Sequence, residues 1–252
     1  MVAPLEPGAL GLEGRRILVT GAAQGLGQET AVWLSRLGAE VIAADIAPCD
    51  ATLARAAGQM EACRIDLGAG AAVGDAFSAI AAEGPVYGLV NCAGVLRRLP
   101  LEATTEDDLA FQTAINQTGT FFLARAAMAH MVENGEGRIV LYTSQGAVTG
   151  GYLGSIPYAM NKAAVTALVK SFARHAAPHG VTVNAVSPGA AETAMLREGT
   201  TDAAIAEFAK MIPMQRVGQP GEMAGPTVFL LSDWARFITG ATIHVNGGQV
   251  MV

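Results

Sequence analysis

Short apolar runs and amphipathic stretches alternate along almost the whole chain. Residues 15–20 (RRILVT) have the length and composition of a buried strand, and a helix-period stretch, Gln28–Leu37, follows and stops at Gly38. Glu40–Ala44 reads as a second strand, closing on Asp45. Further strands are expected at Glu61–Ile65, Val86–Val90, Gly137–Thr143, Val181–Ser187 and Thr242–Asn246. Between them helices are expected at Ala69–Ala82, from Thr104–Asp108 to about Val132, from Pro157 onward, and at Pro220–Leu231. The acids of Thr104–Asp108 suit a helix N-terminus, and Pro157 suits a first helical turn. Such alternation implies an α/β fold: a doubly wound parallel sheet with helices on both faces and ligands at the C-terminal ends of the strands. No repeat, low-complexity tract or linker interrupts it, so residues 1–252 are expected to form one domain. Residues 190–215 are a long excursion containing Thr193, Met195, Leu196, Met211, Ile212 and Met214. They fit either a substrate lid or a packed helical pair.

Composition narrows the function. A hydrophobic content of 51% with 15% charged residues supplies ample core. A net charge of −6 offers no basic surface for nucleic acid. No apolar run is long enough to span a membrane, and the opening segment lacks a secretory pattern, so a cytoplasmic location is expected. Cys49, Cys63 and Cys92 have no Cys-x-x-Cys spacing, and the four histidines form no metal motif, so no metal is assigned. His130 and His175 fall near expected helix C-termini, where partial positive charge is welcome.

Between the first strand and helix stand Gly21, Gln24, Gly25, Leu26 and Gly27. Glycines there let backbone approach a pyrophosphate at the helix N-terminus, and an acid ending the second strand can take the adenosine ribose hydroxyls. Asp45 is that acid, although it also fits a plain helix cap. Its carboxylate would repel a 2′-phosphate, and no Lys or Arg occupies residues 22–24 or 46–50. NAD is therefore expected over NADP. Asp66, Leu67, Asn91, Ala93 and Gly94 fall along the same sheet edge.

Tyr158 and Lys162 lie one helical turn apart, on one face, downstream of Ser144. A free phenol, with a pKa near ~10, is a poor base at neutral pH; lowering it towards ~7 takes about 4 kcal/mol. One ammonium at ~4 Å supplies roughly that at an effective dielectric of ~20. Ser144 could hold a substrate oxygen while the phenol moves the proton. By itself the Tyr-x-x-x-Lys pattern fits a plain amphipathic helix start equally well. Asn116, inside the long helix, is by itself either tolerated or useful.

Taken together, Thr20-Gly21-x-x-x-Gly25-x-Gly27, Asn91-x-Ala93-Gly94, Asn116, Ser144, Tyr158, Lys162 and Pro188-Gly189 with Thr193 resemble the motifs of the short-chain dehydrogenase/reductase family, over nearly the whole chain. Cys92 replaces a common asparagine, and the span from Ser144 to Tyr158 is one residue longer than is usual there. The resemblance implies a Rossmann-like domain, usually a homotetramer in which two long helices pack across one interface. It implies hydride transfer between a nicotinamide and a carbon bearing oxygen. Tyr158 would move the hydroxyl proton, Lys162 would lower its pKa and hold the nicotinamide ribose, and Ser144 would bind the substrate oxygen. Asn116 would anchor a proton-relay water, and Pro188, Gly189 and Thr193 would meet the carboxamide. Residues 94–100 and 114–118 are similar to the branch acting on gluconate and related sugar acids. Arg97 or Arg98 could read a carboxylate, though both also fit a solvated loop or an interface salt bridge; Arg97, Gln145 and Met195 are the substrate-side candidates. A reductase of 3-oxoacyl groups or other small ketones is the alternative enzyme. A cofactor-binding sensor without turnover is the alternative of another class.

Overall fold

A computed structural model describes residues 10–151 and 155–252; residues 152–154 of the central stretch and the opening segment lie outside the described residues. Seven strands, β1 Arg16–Thr20, β2 Glu40–Asp45, β3 Met60–Arg64, β4 Gly88–Asn91, β5 Gly137–Tyr142, β6 Val181–Pro188 and β7 Thr242–Val245, form one sheet. Their order is β3-β2-β1-β4-β5-β6-β7 and every pairing is parallel. Ten α-helices are described: α1 Gly25–Arg36, α2 Asp50–Leu53, α3 Ala72–Ala82, α4 Glu106–Thr113, α5 Thr120–Asn134, α6 Gly146–Thr149, α7 Ile156–Ala176, α8 Ala194–Arg197, α9 Asp202–Lys210 and α10 Pro220–Leu231.

Successive strand side chains point to opposite faces, so each strand feeds two cores. Leu18, Ile42, Leu89 and Ile139 pack with Phe77, Leu123 and Val169 on one face. Ile17, Val19, Val41 and Val140 pack with Leu34, Met223 and Leu230 on the other. With both faces covered, the strands read as continuous apolar runs. The order reverses between β1 and β4. Register pairs Thr20 with both Ala44 and Asn91, so three strands end level and their loops open into one crevice.

The expected long helix forms, running from Glu106 to Asn134, but it carries one π-helical turn. Thr105 and Asp108 close a capping box at the start of α4, and a π-helical turn, Ala114–Gly119, separates α4 from α5. A Cβ at Gly119 would stand 2.1 Å from the Leu67 carbonyl oxygen, so only glycine lets the two backbones cross there. His130 lies four residues before the end of α5. Its Nε2 accepts the Val86 N–H at 3.0 Å, and its ring meets Phe77 edge-on, so it ties α5 to the chain entering β4 and to α3. Among the described helices none is long and apolar enough to cross a membrane.

Candidate active site

One cleft of about 990 Å³ runs along the C-terminal ends of the strands, a size that suits a cofactor with a small substrate. Sterics build its first end. Gly21 has φ +70°, and a Cβ on it would meet the Ala93 amide at 2.7 Å. A Cβ on Gly27 would lie 2.2 Å from the Gly21 oxygen. The turn is therefore drawn tight against β4 and α1, and Gly25, with φ +61°, completes it. No side chain caps α1, which leaves first-turn N–H groups for a ligand's phosphates.

Asp45 braces this turn. Its Oδ2 accepts the Ala23 N–H at 3.0 Å and its Oδ1 accepts that of Ala47 at 3.1 Å. It lines the cleft and does not cap α2, whose N-cap is Cys49. Asp66 accepts the Gly68 N–H at 2.8 Å and lines the cleft with Leu67. Gln24, Leu26, Ala93, Gly94, Pro188, Gly189 and Thr193 line it as well.

Asn91 is a correction. Its Oδ1 accepts from Thr20 Oγ1 at 2.5 Å and its Nδ2 donates to Thr120 Oγ1 at 2.9 Å. Both ends of the amide are thus consumed in tying β1, β4 and α5 together, behind the cleft wall rather than on it.

The second end is chemical. Ser144 follows β5, and its Oγ accepts the Gly146 N–H at 3.1 Å. Ser144 and Tyr158 line the same wall of the cleft, close enough for the serine hydroxyl to act on the phenol. Pro157 lies in the first turn of α7, as expected, and Lys162 comes one turn after Tyr158. The Lys162 Nζ donates to the Tyr142 carbonyl at 2.8 Å and stands 5.5 Å from the centre of the Tyr158 ring. Burial pushes the Tyr158 phenol up to about 12, against the opposing pull of the Ser144 hydrogen bond and the Arg98 charge. Burial also lowers Lys162 to about 8. The expectation that Lys162 makes the phenol acidic is therefore not met by the protein's own groups. Desolvation outweighs the charges that act on the phenol, and Arg98, not Lys162, is the cation felt there.

Asn116 sits on the π turn, fully buried, and does not line the cleft. Its Oδ1 accepts the Val95 N–H at 2.9 Å and its Nδ2 donates to the Val95 carbonyl at 2.8 Å. A Cβ on Gly94 would meet that Oδ1 at 2.8 Å and the Lys162 Nζ at 3.5 Å. With its amide used in this way, Asn116 holds the loop after β4 against Lys162.

Of the substrate-side candidates, Gln145 and Met195 line the cleft and Arg97 does not. Arg97 turns outward, to Asp108 at 2.9 Å and over the Phe111 ring at 3.8 Å. Its neighbour Arg98 lines the cleft instead, donating to the carbonyls of Met195 and Glu198 at 2.9–3.2 Å. Among the described residues it has no carboxylate partner. Ile205 and Phe208 of α9 also reach the cleft and were not anticipated. The amphipathic pattern of α9 marks a packed face but not the element it packs on.

Comparison with known proteins agrees with this geometry. A family model described as enoyl-(acyl carrier protein) reductase matches residues 21–249. The chain is 37% identical to the 3-oxoacyl-[acyl-carrier-protein] reductase FabG of Vibrio cholerae, covering 96% of this chain and 100% of that protein. It is 33% identical to the 5-keto-D-gluconate 5-reductase of Escherichia coli K12, covering 95% and 97%. A solved structure from Agrobacterium tumefaciens, assigned as a 2-deoxy-D-gluconate 3-dehydrogenase with bound NADP, superposes with a TM-score of 0.90 at 34% identity, covering 96% of this chain and 98% of that one. With a glycine-built turn at one end of the cleft and Ser144, Tyr158 and Lys162 together at the other, the chain belongs to the short-chain dehydrogenase/reductase family of oxidoreductases.

Proposed function

We propose that this protein is an NAD-linked dehydrogenase/reductase that interconverts a secondary alcohol and a ketone on a small hydroxy or sugar acid. The observation that carries the reading is that Ser144, Tyr158 and the buried Lys162 line the same cleft as the tight glycine turn. The turn fits a dinucleotide because a Cβ at Gly21 or Gly27 would fill the space that close backbone approach needs. When bound, a nicotinamide supplies the ring carbon that takes or gives the hydride. Ser144 holds the substrate oxygen, and Tyr158 removes the hydroxyl proton during oxidation and returns it during reduction. Lys162 lies beside both, and Pro188, Gly189 and Thr193 border the space for a carboxamide. Asn116 acts as a positioning residue for the loop after β4.

NAD is favoured by the Asp45 carboxylate, with no Lys or Arg among the described residues lining that end of the cleft. The NADP bound to the Agrobacterium relative sets the opposite expectation, and specificity measurements decide between them. Arg98 favours an anionic substrate. It is a half-buried guanidinium without a carboxylate partner among the described residues, on the loop whose wall Ser144 faces. The 5-keto-D-gluconate reductase of Escherichia coli works on a molecule of that kind. A 3-oxoacyl or other small-ketone reductase is the second reading. Leu196, Ile205 and Phe208, apolar residues lining the cleft, support it, as does the Vibrio relative.

The same reading includes one NAD-binding domain with residues 190–215 as lid, a homotetramer, and a cytoplasmic setting. Exposed Phe121, Ile156 and Met160 on α5 and α7 are consistent with helix pairing between subunits. The test is a panel of polyols, sugar acids and hydroxy acids with NAD or NADP, followed by absorbance of the reduced nicotinamide. The reading expects turnover of an acid, with a higher kcat/KM for NAD. Cofactor binding with no turnover across the panel would favour a sensor.

A further inference from the structure

Gln145 carries an unsatisfied group at the chemical end of the cleft. The residue is 7% exposed, and its Oε1 is buried with no hydrogen-bond partner among the described residues. Its surroundings hold it in place. The backbone N–H donates to the Pro188 carbonyl at 3.0 Å, and the side chain lies across Gly189, where a Cβ would stand 3.3 Å from Oε1. The chain turns helical immediately after β5, with Gln145 at φ −55°, ψ −26°. Strand alternation therefore ends here, and Ser144 and Gln145 both line the cleft rather than pointing to opposite sides of the sheet. Buried polar atoms are nearly always paired, and the exceptions call for an explanation. Here the residue that carries the orphaned oxygen lines the space where a ligand binds.

We propose that Gln145 is a specificity-determining residue whose side-chain amide binds a second hydroxyl of the substrate, on the carbon next to the one that reacts. This rests on the oxidoreductase reading above and adds the substrate's chemistry to it. Consecutive residues stand about 3.8 Å apart at Cα, so their side chains can address neighbouring oxygens on one carbon chain. Ser144 takes the reacting oxygen and Gln145 the adjacent one. A hydroxyl both donates and accepts, and so complements either end of the amide. With Arg98 across the cleft, the substrate class is a vicinal hydroxy acid.

The test uses the full chain and two matched acids, 2,3-dihydroxybutanoate and 3-hydroxybutanoate, which differ only by the adjacent hydroxyl. Wild type is expected to favour the dihydroxy acid in kcat/KM by about 10- to 100-fold, the range for leaving a buried partner unpaired. Gln145→Leu should bring the two acids within about threefold of each other, with affinity for the reduced cofactor unchanged. Gln145→Glu, which keeps an acceptor there, should restore most of the preference and guards against a folding defect in the leucine variant. An unchanged preference in Gln145→Leu would overturn the proposal. So would a fall in cofactor affinity with the preference intact, which would assign the amide to the nicotinamide carboxamide. Turnover of neither acid by wild type would overturn the hydroxy-acid reading itself, whereas turnover of both at equal rates would overturn only the role of Gln145.

Discussion

The two ends of the cleft are made differently. At the cofactor end the surface is backbone, set by positions where no Cβ fits, such as Gly21 against Ala93 and Gly27 against Gly21. At the substrate end it is side chains. Arg98 reaches across to the carbonyls of Met195 and Glu198, Gln145 has an oxygen unpaired among the described residues, and Met195, Ile205 and Phe208 supply apolar wall. A backbone surface is set by the fold alone, because it depends only on the turn closing. A side-chain surface can be rebuilt without disturbing the fold, and that is where relatives as different as a 3-oxoacyl reductase and a keto-gluconate reductase can diverge.

The largest expected effect on the fold breaks the cofactor end. Gly27→Ala places a methyl 2.2 Å from the Gly21 oxygen, so the turn must open. Stability should fall by about 3 kcal/mol, at the upper end for overpacking, and titration should show cofactor affinity reduced on the order of 100-fold. Next comes the substrate end. Arg98→Ala should lower kcat/KM for an anionic substrate by about 30-fold, as for loss of a charge-assisted hydrogen bond, with cofactor affinity and turnover of neutral alcohols little changed. The control is Arg97→Ala. Its exposed guanidinium sits on Asp108 at the surface, an ion pair worth about 0–1 kcal/mol, so activity should move less than about threefold.

The last effect, on stability rather than on turnover, concerns Lys162 at the chemical end. Its folded pKa of about 8 is below the ordinary 10.5, so between those values the unfolded chain holds a proton that the folded chain has released. Stability should therefore rise with pH across that window, relieving a penalty of roughly 3 kcal/mol that is present in full below it. The raised Tyr158 acts in the opposite sense, lowering stability as pH climbs from 10 to about 12. Denaturant midpoints from pH 7 to 10 should rise for wild type and stay flat for Lys162→Met. Parallel slopes would mean that the ammonium is not buried as charge.

How much of this could be read from sequence follows the same division. Strand periodicity and helix signals placed β1, β2, β5, β6, β7 and α10 within a residue or two at each end, because local patterns suffice for them. The glycine turn was legible for a physical reason, since few residues can stand where it stands. The π turn at Ala114–Gly119 was not, because one extra residue per turn leaves the hydrophobic pattern nearly unchanged. Asn91 looked like a cofactor ligand because it ends a strand at the right edge; its partners Thr20 and Thr120 come together only in three dimensions. Arg97 and Arg98 are adjacent on an irregular loop with no period to say which one turns inward. The direction of the Tyr158 shift was missed for a related reason. An ammonium one turn away is visible in the sequence, and burial of the phenol is not.

Tyr158→Phe tests the central claim most directly, since it removes one oxygen from the site and leaves the glycine turn untouched. Binding of the reduced cofactor and turnover of the best acid in the panel would be measured on the same preparation. Affinity within about threefold of wild type, with kcat lowered on the order of 1,000-fold, is the result expected for loss of a positioned acid–base group. Turnover at the wild-type rate would contradict the account, because the proton would then have to move without the phenol.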